Sequence, residues 1–263
     1  MKIKSNIMAI TAFFVVATVS SNAATIFSQD FSENNTVATY SNAAPNSGQF
    51  NAISSSGAGV TASIVSGVLT YARTGTNAGS FSRTTNFATT PTAISYKFDF
   101  TLSGNSSPTT SAAVFQIGDA FGTTNSAESI ANTYARFGIN IGATAGQFGI
   151  RDITNATSSA LFSGTQSVFW VVNNTGASIG YTDPAAGSST LANDTADLWL
   201  GTTKVLNGVA VQTGTQSIND LKFVIDGGIG TIGIDNIVIS SIPEPSSALL
   251  GAVGMLALLR RRR

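Results

Sequence analysis

The chain of 263 residues contains no cysteine and no histidine. Without cysteine there can be no disulfide and no thiolate metal site, so the fold must rest on a core large enough to need no covalent staple. Without histidine, Ser-His-Asp and Cys-His nucleophile systems lose their proton shuttle and an ordinary zinc site loses its nitrogen ligand. Charge is also scarce, at 10% of residues. Between Ala24 and Ile242 seven basic residues (Arg73, Arg83, Lys97, Arg136, Arg151, Lys204 and Lys222) stand against twelve acidic ones. No basic patch for nucleic acid is visible. Carboxylate chemistry is what remains open to an enzyme built from this composition.

The two ends carry signals of their own. Lys2 and Lys4 precede an apolar run from Ile7 to Val19, and Ser21-Asn22-Ala23 supplies small residues for cleavage. This is the layout of a secretory signal peptide over residues 1–23, cut after Ala23 by signal peptidase. An uncleaved membrane anchor fits less well, because the run falls short of the roughly 20 residues that span a bilayer. At the other end Pro243-Glu244-Pro245 leads into an apolar run from Ala248 to Leu259, which stops at Arg260, Arg261, Arg262 and Arg263. The two prolines lack backbone donors and keep the segment extended and accessible to a processing enzyme. As a helix rising about 1.5 Å per residue the apolar run would be about 20 Å long, thin for a hydrocarbon core of about 30 Å. The arginines would stay on the cytoplasmic side and leave the preceding domain outside.

The order of Pro243-Glu244-Pro245, apolar segment and arginine cluster resembles the PEP-CTERM sorting signal of exopolysaccharide-producing Gram-negative bacteria. The resemblance covers residues 242–263. It implies recognition by an exosortase, a membrane-embedded cysteine transpeptidase, which would remove the hydrophobic helix and Arg260 to Arg263 after export. The membrane contact would then be transient and confined to this segment.

Residues 24–241 are rich in Ser, Thr, Asn, Gly and Ala, with short bursts of β-branched and aromatic residues between turn formers. That rhythm predicts many short strands. The clearest is Ala93 to Leu102, where Ile94, Tyr96, Phe98, Phe100 and Leu102 share one face and Ser95, Lys97, Asp99 and Thr101 the other. Eleven further strands are expected, starting near Thr25, Val68, Gly79, Ala112, Tyr134, Phe148, Val168, Ile179, Ala196, Leu221 and Gly230. Val168 to Val172 is apolar on both faces, which predicts a central strand with the core beneath and a loop above. A parity change between Ile234 and Ile237 predicts a bulge at Asp235-Asn236. Ser126 to Asn132 could form a helical turn or two. The fold class is all-β, a two-sheet antiparallel β-sandwich flanked by the signal helix and the short C-terminal helix. An outer-membrane barrel also uses alternating strands, but these are short and no pair of aromatic girdles is readable. Asp30-Phe31 at the start and Ile234-Asp235-Asn236-Ile237 at the end resemble jelly-roll modules of the concanavalin-like and laminin-G-like kind. That resemblance implies first and last strands side by side.

Candidate sites are few. Glycoside hydrolysis needs only two carboxylates, but the Glu-x-Asp-x-x-Glu run of concanavalin-like glucanases is missing, and Glu33 and Glu128 both sit in turn-like surroundings. Asp99 with Asp152 is an unsupported alternative pair, each more simply a solvated strand position. Asp30, Asp235 and Asn236 are candidate ligands for a structural calcium, against the plainer reading of turn and bulge chemistry. The run from Asp226 to Ile232 is similar in part to a Gly-Gly-x-Gly-x-Asp calcium repeat, but Ile232 stands in place of the aspartate and a tight hairpin loop is expected. Among aromatics that could stack on a sugar, Trp170 belongs in the core, while Trp199 alternates with Asp197 and is expected to face outward as the first ligand candidate. Asn34, Asn155 and Asn193 begin Asn-x-Thr acceptor patterns, common by chance in such a composition. The expected function is that of an exported cell-surface or extracellular-matrix protein without catalysis or cofactor beyond calcium, touching exopolysaccharide. The alternative is a carboxylate-dependent polysaccharide hydrolase or lyase.

Overall fold

The alternation in Ala93–Ser103 produces a long central strand of a large sheet, because placing Ile94, Tyr96, Phe98, Phe100 and Leu102 on one side gives that side a continuous apolar surface to bury. The computed structural model describes residues 23–243. The expected signal helix, Glu244, Pro245, the C-terminal apolar run and Arg260, Arg261, Arg262 and Arg263 lie outside the described residues.

Among the described residues the chain forms β1 (Ala24–Gln29), β2 (Ala52–Ser55), β3 (Val60–Val65), β4 (Val68–Arg73), β5 (Gly79–Arg83) and β6 (Ala93–Ser103). There follow β7 (Thr109–Gly118), β8 (Thr133–Ile141), β9 (Phe148–Asp152), β10 (Thr157–Ser158), β11 (Gln166–Asn173) and β12 (Ile179–Thr182). The last are β13 (Ser188–Leu191), β14 (Thr195–Leu200), β15 (Thr203–Ala210), β16 (Asp220–Ile225) and β17 (Gly230–Ser241). One eight-stranded sheet runs β15-β14-β11-β6-β17-β4-β3, with β1 also on β17. A seven-stranded sheet runs β10-β9-β8-β7-β16-β5-β2, and β12 and β13 form a separate hairpin. Pairing within both sheets is antiparallel, so the expected two-sheet sandwich is what the chain builds. Of the expected helix over 126–132, a single 3-10 turn at Ile130–Asn132 forms.

The sheets meet over an aromatic core. Phe115 of β7 lies at its centre, with ring centroids 4.6 Å from Phe98, 4.7 Å from Phe223 and 5.0 Å from Phe137. Trp170 packs edge-on against Phe137 and is buried, as its apolar surroundings implied. Rings of this size supply most of the apolar area that holds a disulfide-free domain together.

β17 binds the two ends. Its first half pairs with β4, and its second half with β1, where Gln29 lies opposite Ile237 and Ala24 opposite Ser241. The change of partner falls at a bulge between Asp235 and Val238, where Asn236 takes φ 52°, a left-handed conformation that asparagine tolerates better than most residues. First and last strands are therefore neighbours, as the jelly-roll resemblance implied. The run from Asp226 to Gly230 differs from expectation. It is not a hairpin loop, because β16 and β17 belong to opposite sheets, and it carries the chain across the edge of the sandwich. Gly228 and Gly230, at φ 66° and 146°, take backbone that a side chain would strain. Arg73 clamps the crossing by donating to the carbonyl oxygens of Asp226 and Gly228.

Candidate functional site

Along β11 the side chains of Val168, Trp170 and Val172 enter the core, which turns Phe169 and Val171 to the outer face of the eight-stranded sheet. Val171 is covered by the β12–β13 hairpin, whose Ile179, Tyr181 and Leu191 close over it and Ala93. This is the cover that an apolar strand with two buried faces requires. The hairpin is pinned by polar contacts as well. The Tyr181 hydroxyl donates to Asp197 Oδ2 at 2.5 Å, and the Trp199 indole donates to Tyr181 Oη at 3.1 Å. Asp197 also accepts from Lys204 Nζ at 2.7 Å and from the Gly208 backbone at 2.6 Å. Burial raises the Tyr181 phenol, and its bond to the Asp197 carboxylate raises it further. Burial alone would lower the Lys204 ammonium, but its hydrogen bond and attraction to Asp197 leave it raised.

Where the hairpin ends, the sheet is open. A depression of about 380 Å³ is lined by Lys97, Ser167 and Phe169 on the floor, Thr182, Asp183 and Pro184 on the hairpin, and Gly201 and Thr202 on the β14–β15 turn. Phe169 stands opposite Lys97 on β6 and Trp199 on β14, with its ring 6.2 Å from Tyr181. Asp183 is committed to its own turn, accepting from Ser189 Oγ and from the Gly187 and Ala185 backbones. Those bonds, from Ser189 first, hold its carboxyl below the usual range. Lys97 is exposed and has no hydrogen bond or ion pair to any described residue. The floor therefore offers one half-exposed aromatic face beside an uncommitted ammonium and three hydroxyls.

Trp199 lies on the outer face, as its alternation implied, but it is not open to a ligand. It is 8% exposed, under the Tyr181 hairpin and with Lys204 Nζ 4.9 Å from its ring centroid. The exposed aromatic is its neighbour Phe169, which the apolar run around it disguised in the sequence.

A second depression, of about 410 Å³, is lined by Ser28, Gln29, Asp30, Glu33, Asn236, Ile237 and Val238 beside the β17 bulge. Two of the three calcium candidates, Asp30 and Asn236, thus share one wall, with Asp235 adjacent. One side-chain polar atom of each is engaged locally. Asp30 Oδ1 accepts from the Ser32 backbone and hydroxyl, Asp235 Oδ1 from the Asn236 backbone, and Asn236 Nδ2 donates to Asp99 Oδ2. No group of three or more acidic side chains fit to hold a metal forms among the described residues. Asp99 and Asp235 face each other across β6 and β17. Burial, then the nearby charges of Asp99 and Asp30, push Asp235 up. Asp152 lies in the other sheet with its carboxylate on Asn155, so Asp99 and Asp152 are not brought together.

The seven-stranded sheet holds an ionic cluster that no local pattern in the sequence announced. The loop after β7 folds back over the outer face of β16, where Lys222 Nζ meets Glu128 Oε1 at 2.5 Å and the Gly122 carbonyl at 3.0 Å. Asp220, 2% exposed, accepts from the Phe121 backbone through Oδ2 and leaves Oδ1 without a partner. Burial, with Asp119 and Glu128 adding, raises its pKa to about 6. A carboxylate so enclosed is not presented to a substrate.

At the domain's exits, Ala23 is exposed beside β1, and Pro243 follows Ile242, whose backbone donates to the Ala93 carbonyl. No helix of the described residues is long and apolar enough to cross a membrane.

Residues 241–263 match the family described as the PEP-CTERM protein-sorting motif. No curated protein sequence matches the chain. Among solved structures the chain is similar to the carbohydrate esterase vb_24B_21 from the Shiga toxin-encoding bacteriophage phi24B, with 11% identity and a TM-score of 0.52, over 84% of this chain and 100% of that one. At that identity the likeness is one of fold. Weaker similarity extends to the potassium-bound Emp46p carbohydrate recognition domain (9% identity, TM-score 0.46, 73% of this chain and 89% of that one). It also reaches the metal-free lectin I-B4 of Griffonia simplicifolia (13% identity, TM-score 0.40, 72% and 93%). The sorting motif is a signal for exosortase processing and marks the chain as an exported, surface-associated protein.

Proposed function

We propose that the mature domain is a non-catalytic surface or extracellular-matrix module that touches polysaccharide through the depression floored by Phe169. The observation that carries this reading is the half-exposed ring of Phe169 set among Lys97, Ser167, Thr182 and Thr202. A sugar presents an apolar C–H face to an aromatic ring and its hydroxyls to hydrogen-bonding groups around it, and the depression offers both in one place. Signal peptidase and an exosortase would process the chain, and the host's own exopolysaccharide is the proposed partner. The test is binding of the exported protein to that polysaccharide. Phe169→Ala is expected to weaken binding roughly three- to tenfold through loss of stacking, with the thermal midpoint little changed. Binding that is absent, or indifferent to Phe169→Ala, would refute the reading.

One observation favours a second reading, a polysaccharide hydrolase. Asp235, with its raised pKa, faces Asp99 across two strands, and a protonated carboxyl beside a carboxylate is the pairing that glycoside hydrolysis uses. Against it, Asn236 already occupies Asp99, and the depression alongside has no aromatic platform. Release of reducing ends by the wild type, abolished in Asp235→Asn, would establish hydrolysis.

A further inference from the structure

Four of the seven basic side chains of the domain have work within the fold. Arg73 and Arg83 donate to backbone carbonyls, Lys204 pairs with Asp197 and Lys222 with Glu128. Lys97 lies in the depression already described. That leaves Arg136 and Arg151, for which no hydrogen bond and no ion pair to any described residue exists.

The two share one surface. In the seven-stranded sheet Gln116 of β7 lies opposite Arg136 of β8, and Gly138 of β8 lies opposite Arg151 of β9. Because Phe137, Ile139 and Ile150 point into the core, Arg136, Gly138 and Arg151 all point to the outer face. Arg136 and Arg151 are thus diagonal neighbours on adjacent strands, within reach of one another for long side chains. Gly138 between them is buried, because neighbouring side chains close over it. A Cβ there would meet Ser111 Oγ at 3.3 Å and Arg151 Cβ and Ile153 Cδ1 at 3.4 Å. Asn140 and Ser158, joined by a hydrogen bond of 2.8 Å, stand at the far side of Arg151's strand pair.

No acid among the described residues forms an ion pair with either arginine. Asp152 points away and is held by Asn155, while Glu128 is occupied by Lys222. Nε of Arg136 is closed off from water and donates to nothing, and burial alone lowers the pKa of its guanidinium. Two unpaired guanidinium groups on one face, one of them partly stripped of water, favour an incoming anion. In a domain whose net charge is otherwise acidic, a solvated cationic face would be expected to have carboxylates interspersed.

We infer that Arg136 and Arg151 form a subsite for a sugar-borne oxyanion, the carboxylate of a uronic acid or a sulfate ester, on an acidic polysaccharide. The planar guanidinium fork matches either group in bidentate fashion. The inference rests on the carbohydrate reading above but places the charged contact on the opposite sheet from Phe169.

The experiment measures binding of the exported protein to polygalacturonate, dextran sulfate and neutral dextran, for the wild type and for Arg136→Gln, Arg151→Gln and Phe169→Ala. Thermal midpoints confirm that each variant is folded. The expected result is that an anionic chain binds more tightly than dextran, and that each arginine variant weakens this by about tenfold, the effect of losing one hydrogen-bonded charge, while Phe169→Ala leaves the preference for anions intact. Preference for polygalacturonate assigns the carboxylate as the group recognised, and preference for dextran sulfate assigns the sulfate. Anionic binding unchanged in both arginine variants overturns the inference. So does a wild type that ignores both anionic chains, and if it still binds neutral glycan through Phe169 the carbohydrate reading survives alone.

Discussion

Replacing Asp220 by asparagine should stabilise the protein at neutral pH and flatten its response to acid. The carboxyl is 2% exposed, lies beneath the loop that follows β7, and has one oxygen without a partner. Its pKa rises from 3.8 to about 6 in the folded protein, so the native state binds the proton more tightly than the unfolded chain does. At about 1.36 kcal/mol per pH unit this difference amounts to about 3 kcal/mol. The sign follows from linkage: the favourable contribution is complete below pH 3.8 and is lost as the pH climbs through about 6. At pH 7 the native state therefore carries a buried, half-satisfied anion. Asparagine keeps an acceptor for the Phe121 backbone and cannot ionise. Urea unfolding of both proteins between pH 4 and pH 7 measures the difference, which should grow from near zero to roughly 1–3 kcal/mol in favour of Asp220→Asn. Comparing the two curves removes the other carboxyls, including Asp30 and Asp183, whose lowered pKa values act in the opposite direction. Parallel curves, or a variant less stable throughout, would refute the reasoning.

Glu128→Gln leaves the fully buried Lys222 ammonium without its counterion and is expected to cost about 3 kcal/mol in urea unfolding. Adding Lys222→Met should recover most of that loss. Tyr181→Phe removes the donor to Asp197 and the acceptor for Trp199, which should weaken the hairpin's docking by about 1–3 kcal/mol. Hydrogen exchange will then quicken over residues 179–191 before the sandwich unfolds. Replacement of Pro243, Glu244 and Pro245 by alanine should block exosortase processing, read as an intact mass that retains Arg260 to Arg263.

Period-two patterning exposed β6 because its two faces differ sharply, Phe98 and Phe100 against Lys97 and Asp99. It exposed β11 for the opposite reason, since two apolar faces demanded a cover that β12 and β13 supply. Strands β2, β3, β10, β13 and β15 were not readable. Ala52–Ser55 and Ser188–Leu191 are almost all small or hydroxylated, and their place at an edge or in the hairpin asks for little apolar contrast. The bulge at Asp235-Asn236 was legible because an extra residue inverts the parity of everything after it. The openness of Phe169 and the enclosure of Trp199 were not, because a hairpin from elsewhere in the chain decides which outer-face ring stays uncovered. Nor could Asp220, Lys222 and Glu128 be grouped, since a loop brings Glu128 to the strand from more than ninety residues away.

The placement of β17 also has a mechanical meaning. A pull on the C-terminal end of the domain would enter it at Ser241. That strand is flanked along its length by β6 on one side and by β4 and then β1 on the other. Force along its axis shears these ladders together instead of peeling them rung by rung, which is the stronger geometry. Because Ala24 lies opposite Ser241, the start of β1 emerges beside the end of β17 and carries no such load. Such a pull would fall on a strand in the middle of its sheet.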